Sequence, residues 1–153
     1  MARVLVGMSG GVDSSVAAAL LAESGHEAIG VSLQIYDHSE GGRAARCCSP
    51  DDFKDARAVA ALLGIPYYVI NEEERFGREV LDYFVSDYRA GRTPNPCVRC
   101  NGEVKFEVLV RLAEDLGAVA VATGHYARLS DDPSSDERQL LRGVDPDRDQ
   151  SYF

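Results

Sequence analysis

The sequence predicts an α/β domain: a doubly wound, mainly parallel sheet with helices on both faces. Three observations lead there. Short apolar runs alternate with amphipathic runs from residue 3 to residue 123, the pattern of βαβ units. The first apolar run passes straight into a Ser-Gly-Gly turn and then an Ala/Leu-rich helical pattern. Helix caps and glycine stops fall between the runs at workable spacings.

In order, Arg3 to Met8 reads as a buried strand, and Ser14 to Ser24 as a helix ended near Gly25. Ala28 to Ile35 is a second strand. Ser49-Pro50-Asp51-Asp52 opens a helix with a serine cap, proline and acid in the first turn. That helix carries Phe53, Ala56, Val59, Ala60 and Leu63 on one face and stops at Gly64. Tyr67 to Ile70 is a short strand, after which Asn71 caps a helix bearing Phe76, Val80, Phe84 and Tyr88. A further helix is expected from about Gly102 to Leu116, and strands at Val119 to Thr123 and Gln139 to Arg142. The stretches 37–46, 91–101 and 131–137 read as irregular. In such a sheet ligand binds at the carboxyl edge of the strands, where strand order reverses. That edge carries Ser9, the loop after Ile35, and Gly124.

The 153 residues suit one domain with a real core. There is no signal-peptide pattern and no apolar stretch long enough to span a bilayer, so a cytoplasmic protein without a membrane partner is expected. A net charge of −9 argues against a surface that is basic throughout, although local patches decide nucleic-acid binding. Between Arg89 and Arg111 five basic residues face two acids, and this region is the expected RNA contact. The four cysteines form two close sets, Cys47-Cys48 and Cys97-x-x-Cys100, which suggests reactive thiols or metal ligands more than a disulfide framework. Adjacent cysteines rarely chelate one metal, so Cys47 and Cys48 read as packing residues. The histidines at 26, 38 and 125 show no metal-ligand spacing.

The most informative string is Gly7-Met8-Ser9-Gly10-Gly11-Val12-Asp13-Ser14, with Ser15 following. A helix start leaves backbone N–H groups unpaired at the positive end of its dipole. Paired glycines let the backbone close on an anion, and serine hydroxyls add donors. The string is a phosphate site, but it lacks the Gly-Lys-Ser/Thr ending of a Walker loop, so the loop itself brings no lysine to a γ-phosphate. The bland alternative is a glycine turn in an ordinary α/β unit.

The second string runs from Gly91 through Thr93-Pro94-Asn95-Pro96-Cys97 to Cys100-Asn101, with Lys105-Phe106 beyond. Two prolines stiffen it. A thiol at Cys100, beside the expected helix start and between Arg99 and Lys105, has its thiolate favoured, as a nucleophile or a metal ligand requires. A pair of buried small residues is the structural alternative.

The first string resembles the PP-loop of ATP pyrophosphatases. With the second, and with Ala122-Thr123-Gly124-His125-Tyr126-Ala127 and Asp149-Gln150-Ser151-Tyr152-Phe153, the whole chain resembles the tRNA-specific 2-thiouridylases of the MnmA type. The resemblance implies a Rossmann-like PP-loop ATP pyrophosphatase domain over residues 1–153. It also implies transfer of sulfur to C2 of the wobble uridine in the tRNA anticodon loop, with ATP, Mg²⁺ and a persulfide-donating sulfur-relay protein. Gly7, Met8, Ser9, Gly10, Gly11, Val12, Asp13 and Ser14 would hold the phosphates, and Leu33 and Gly124 the adenosine. Asn95, Pro96 and Cys97 would approach the target base. Arg148 (lysine in many relatives), Asp149 and Gln150 would touch tRNA, and Cys100 matches the nucleophile.

Family members are more than twice this long, so the chain is expected to be a truncated, catalytic-domain portion without the central tRNA-binding domain and the C-terminal β-barrel. Several relatives carry aspartate where Cys97 stands, which raises a second reading: a 4Fe–4S cluster with Cys97 and Cys100 as ligands. A third is a nucleotide-binding module without turnover, and a zinc-binding module is more distant, since one Cys-x-x-Cys supplies half a zinc site.

Overall fold

The computed structural model describes residues 1–36, 49–130 and 138–152. The expected irregular stretches at 37–46 and 131–137, together with His38, Cys47, Cys48 and Phe153, lie outside the described residues. Four strands, β1 (Arg3–Gly7), β2 (Glu27–Gln34), β3 (Tyr67–Asn71) and β4 (Ala120–Ala122), form one parallel sheet in the order β3-β2-β1-β4. The chain builds outward from β1 to β3 and then returns to the other side of β1. Strand order therefore reverses between β1 and β4, where a crevice for ligand opens. A two-stranded antiparallel ribbon, β5 (Arg128–Leu129) with β6 (Leu140–Leu141), stands apart from the sheet. The strand expected at 139–142 is thus present but short, and its partner at 128–129 carries no sequence signal.

Alternate residues of each strand face opposite helical layers. On one face Val6, Met8 and Ala28 meet Ala18 of α1 (Val12–Glu23) and Ala56 and Ala60 of α2 (Pro50–Leu63). Alanines let these helices lie close to the sheet. The other face buries Leu5, Ile29, Val31 and Leu33 under larger side chains, among them Phe76 and Val80 from helix α3 (73–89) and Val104, Val108 and Leu109 from helix α4 (96–115). The α2 cap forms as expected: Ser49 Oγ accepts from Asp52 N–H at 3.2 Å, and Ser49 N–H donates to Asp52 Oδ2 at 2.7 Å. Gly64 ends the helix in the left-handed region at φ 67°.

Each of α3 and α4 contains a π turn, Gly77–Leu81 and Cys100–Phe106, with helical backbone angles through the junctions. Two expectations change here. Helix α4 starts at Pro96 and not near Gly102, because Asn95 Oδ1 caps Val98 N–H at 3.3 Å and Pro96 takes the first helical position. In α3 Phe76 and Val80 are buried, but Tyr88 is 55% exposed and Asp87 takes the inner position. A four-residue spacing outruns the α-helical period, and two turns beyond Val80 fall on residue 87.

Candidate active site

The end of β1 is fixed from below. Met8 N–H donates to the Val31 carbonyl at 2.8 Å, Ser32 Oγ donates to the Met8 carbonyl at 2.5 Å, and the Tyr67 hydroxyl donates to Ser32 Oγ at 2.7 Å. The chain then turns through Gly10 at φ 78°. A side chain there would be doubly excluded, since a Cβ would stand 2.5 Å from the Asp52 carbonyl oxygen of α2. Gly11 is the helix N-cap, extended at φ −79° and ψ 162°, and offers no side chain to the first turn. The N–H groups of that turn are therefore left to a ligand. Of the three serines expected as donors, two shape the loop: Ser14 Oγ and Ser15 Oγ donate to the Gly11 carbonyl at 3.1 and 2.9 Å. Ser9 N–H donates to Ser14 Oγ at 3.2 Å, which closes the turn.

The far wall comes from the segment after β4. Gly124 packs against the first turn of α1 so closely that a Cβ would lie 2.6 Å from Asp13 C and Ser14 N. The Tyr126 hydroxyl donates to Asp13 Oδ1 at 2.8 Å, a bond that raises the phenol's pKa. Tyr126 N–H in turn donates to Gln150 Oε1 at 3.2 Å. Between these walls lies a cavity of ≈ 400 Å³, within the range of small-molecule sites. Met8, Val31, Leu33 and Leu109 contribute apolar lining, and Ser9, Gly11, Asp13, Ser14 and Lys105 polar lining. A nucleotide has the same division, a flat apolar base and a charged tail.

Of the residues expected around a nucleotide, Gly7, Met8, Ser9, Gly11, Asp13, Ser14, Leu33 and Gly124 all line this cavity. Gly10 is the hinge behind it, and Val12 is 77% exposed outside it. Gln150 lines the cavity, whereas Arg148 is exposed on the 3₁₀ turn Pro146–Arg148. Asp149 holds its own loop: Oδ1 accepts from Gly143 and Ser151 N–H at 3.0 Å each, and these bonds keep its carboxyl below the usual range. Lys105, Phe106 and Asn101, to which the sequence assigns no nucleotide contact, also line the cavity, and so does His125, which the sequence sets beside Gly124 at the ligand edge as a residue that orders the nucleotide.

The 91–101 segment is held by α3. Arg92 donates through Nε to Asp87 Oδ1 at 3.1 Å, with a second bond from the same guanidinium, and Arg92 N–H donates to the Asp87 carbonyl at 2.9 Å. The Arg92 guanidinium, with the Tyr83 hydroxyl, holds the buried Asp87 carboxyl below its usual range. Arg99 Nε donates to the Glu79 carbonyl at 2.5 Å, and its guanidinium lies 4.4 Å from the Tyr83 ring centroid. Two of the five basic residues in the region expected to contact RNA, Arg92 and Arg99, are thus engaged within the protein.

Cys97 is exposed, and Cys100, 6% exposed, sits in the core cluster one turn into α4. It is therefore not beside the helix N-terminus as expected. Among the described residues no group of three or more Cys, His, Asp or Glu side chains is placed to hold a metal ion, and none of the helices is long and apolar enough to cross a membrane.

A family model described as tRNA methyl transferase HUP domain matches residues 2–153. The tRNA-specific 2-thiouridylase MnmA of Geobacter metallireducens is 58% identical over 156 residues, covering 99% of this chain and 42% of that protein. Its namesake in Zymomonas mobilis is 53% identical over 152 residues, covering 99% and 40%. The chain thus spans well under half the length of these curated relatives. Among solved structures, a glutamine-dependent NAD+ synthetase from Acinetobacter baumannii superposes with a TM-score of 0.56 at 19% identity, over 81% of this chain and 22% of that one. An NMN synthetase from Francisella tularensis gives 0.51 at 20% identity, over 81% and 45%. At such identities the likeness is one of fold. The match to the family model takes in the glycine loop after β1, the Cys97–Cys100 helix and the Gly124 wall together, and the chain belongs to the tRNA methyl transferase HUP domain family, with tRNA-specific 2-thiouridylases among its relatives.

Proposed function

We propose that residues 1–153 act as the PP-loop catalytic domain of a cytoplasmic, ATP-dependent tRNA 2-thiolation. The observation that carries this is the cavity at the β1/β4 switch point, polar at the Gly11 cradle and apolar toward Leu33. ATP fits it: the cradle is open at Gly11, where an added Cβ would meet only Ser9 Oγ, and first-turn N–H groups face the phosphates. Asp13 is the side chain that would share Mg²⁺ with phosphate oxygens and water, the way this ion is usually held.

A pyrimidine C2 carbonyl is a poor electrophile because its oxygen leaves badly. Attack by that oxygen on the α-phosphorus breaks the bond to the β-phosphate, releases pyrophosphate and leaves AMP on the oxygen. Sulfur then attacks C2, and AMP departs with the original oxygen. Asn95, Pro96 and exposed Cys97, at the start of α4, approach the base, which an anticodon loop presents unstacked. Cys100 takes part in the sulfur step. Because it is buried, the start of α4 must open when the base arrives. Sulfur comes as the outer sulfur of a relay protein's persulfide: once it is bonded to C2, the Cys100 thiolate attacks the inner sulfur, the S–S bond breaks with its electron pair going to the sulfur on C2, and a disulfide between Cys100 and the carrier cysteine is left. Arg148, Asp149 and Gln150 contribute to the tRNA contact. Cys97 and Cys100 have no third cluster ligand beside them among the described residues, so no step is derived through a 4Fe–4S cluster.

The test supplies unmodified tRNA, ATP, Mg²⁺ and a persulfide-loaded carrier protein, without free sulfide, and measures nucleosides by mass spectrometry. The parent is expected to form 2-thiouridine. Cys100→Ala is expected to lose that product while its ATP affinity stays within twofold. Full thiolation by Cys100→Ala, or methylated uridine in place of the thiolated base, contradicts the proposal. Product from neither protein makes the chain a nucleotide-binding module without turnover.

A further inference from the structure

The glycine loop has no lysine of its own, and a net charge of −9 opposes the approach of any polyphosphate. A lysine nevertheless lines the cavity, contributed by α4. Lys105 lines it together with Ser9, Gly11 and Ser14. Among the described lining residues it is the one side chain with a permanent positive charge, beside one carboxylate, Asp13, whose Oδ1 already accepts from Tyr126. Lys105 itself is half-buried and has no hydrogen bond or ion pair with another described residue.

Its surroundings contrast with that freedom. Arg75 Nε donates to the Glu103 carbonyl at 3.0 Å, and its guanidinium pairs with Glu107 at 2.6 Å, so α4 is pinned on both sides of residue 105. Buried Val104 and Val108 hold the same stretch against the sheet. Farther up the helix Arg99 is taken by Glu79. The base of the lysine is therefore fixed while its ammonium has no anionic partner among the described residues, an arrangement that suits an anionic ligand and adds no ordering of the backbone when the ligand binds. Lys105 and Cys100 both belong to the π turn Cys100–Phe106 and so lie on one stretch of the helix.

We propose that Lys105 is the phosphate-binding cation of this site, supplied by α4 in place of the absent loop lysine and contacting the polyphosphate of ATP. This rests on the nucleotide reading given above. A lysine, as a compact point charge on a flexible stem, can follow a phosphate without demanding one orientation.

Isothermal titration with ATP and thermal melting without nucleotide test it on the parent, Lys105→Met and Lys105→Arg. Lys105→Met is expected to raise the ATP dissociation constant tenfold or more while its nucleotide-free melting temperature stays within 2 °C or so of the parent's. Lys105→Arg, which keeps the charge, is expected to stay within about threefold of the parent. ATP affinity within twofold of the parent in Lys105→Met overturns the proposal. So does a loss of affinity matched by a large fall in the nucleotide-free melting temperature, since the lysine would then be packing the helix. A parent that binds no ATP counts against the nucleotide site itself and not against the lysine's place within it.

Discussion

Gly11→Val is expected to lower ATP affinity at least a hundredfold while leaving the protein folded. The residue lines the cavity and caps α1 with an extended backbone that valine adopts readily, so its isopropyl group would occupy the cradle. Loss of a tolerant cap residue costs about 1 kcal/mol, or about 2–4 °C in melting temperature for a chain of this size. Gly10→Val behaves differently although the two glycines are adjacent. Its φ of 78° disfavours valine by about 1–2 kcal/mol, and the side chain would run into the Asp52 backbone, where three atoms lie between 2.5 and 2.9 Å of a Cβ. That variant is expected to lose stability as well as ATP. Calorimetric titration and thermal melting of the two proteins separate the effects. Equal melting temperatures in the two variants would show that the Gly10–Asp52 contact does not constrain the loop.

Gly124→Ala is expected to be strongly damaging for a single-methyl change. The added carbon would meet the backbone of Asp13 and Ser14 at 2.6 Å, and backbone cannot swing aside as a side chain can. Overpacking of this kind costs about 3 kcal/mol. Relief requires the segment after β4 to withdraw from α1, which stretches the Tyr126–Asp13 bond and opens the cavity. ATP affinity is expected to fall at least tenfold with the melting temperature. Gly102→Ala is the control. No atom lies within 4 Å of its Cβ, and alanine in a helix is expected to raise stability by about 0.5–1 kcal/mol. A Gly124→Ala protein as stable as the parent would remove the close approach from the account.

The difference between these glycines marks what could be read in advance. Local chemistry was legible: the Ser49–Asp52 cap, the stop at Gly64 and the glycine loop before α1 each depend on neighbours within a few residues. Contacts across the chain were not. Tyr126 reaches Asp13 over 113 residues, and nothing near residue 124 announces that α1 will press against it. Asp87 carries no burial signal because a carboxylate interrupts an apolar stripe, and its burial makes sense only with Arg92 folded back on it. The Asn95-Pro96 pair did carry a helix-start signal, a cap followed by proline. A second proline two residues earlier made the same stretch read as loop, and Cys100 was placed at a helix end when it lies inside one. The two π turns left no trace in composition.

The cleavage position in ATP is the measurement that bears most directly on this account. The protein is incubated with unmodified tRNA, Mg²⁺ and ATP labelled at the γ-phosphate, and the labelled product is separated. A site that activates the C2 oxygen with AMP releases labelled pyrophosphate, together with unlabelled AMP once sulfide is supplied, and does so only with tRNA present. Labelled inorganic phosphate with ADP, or ATP that binds and is never cleaved, would contradict it.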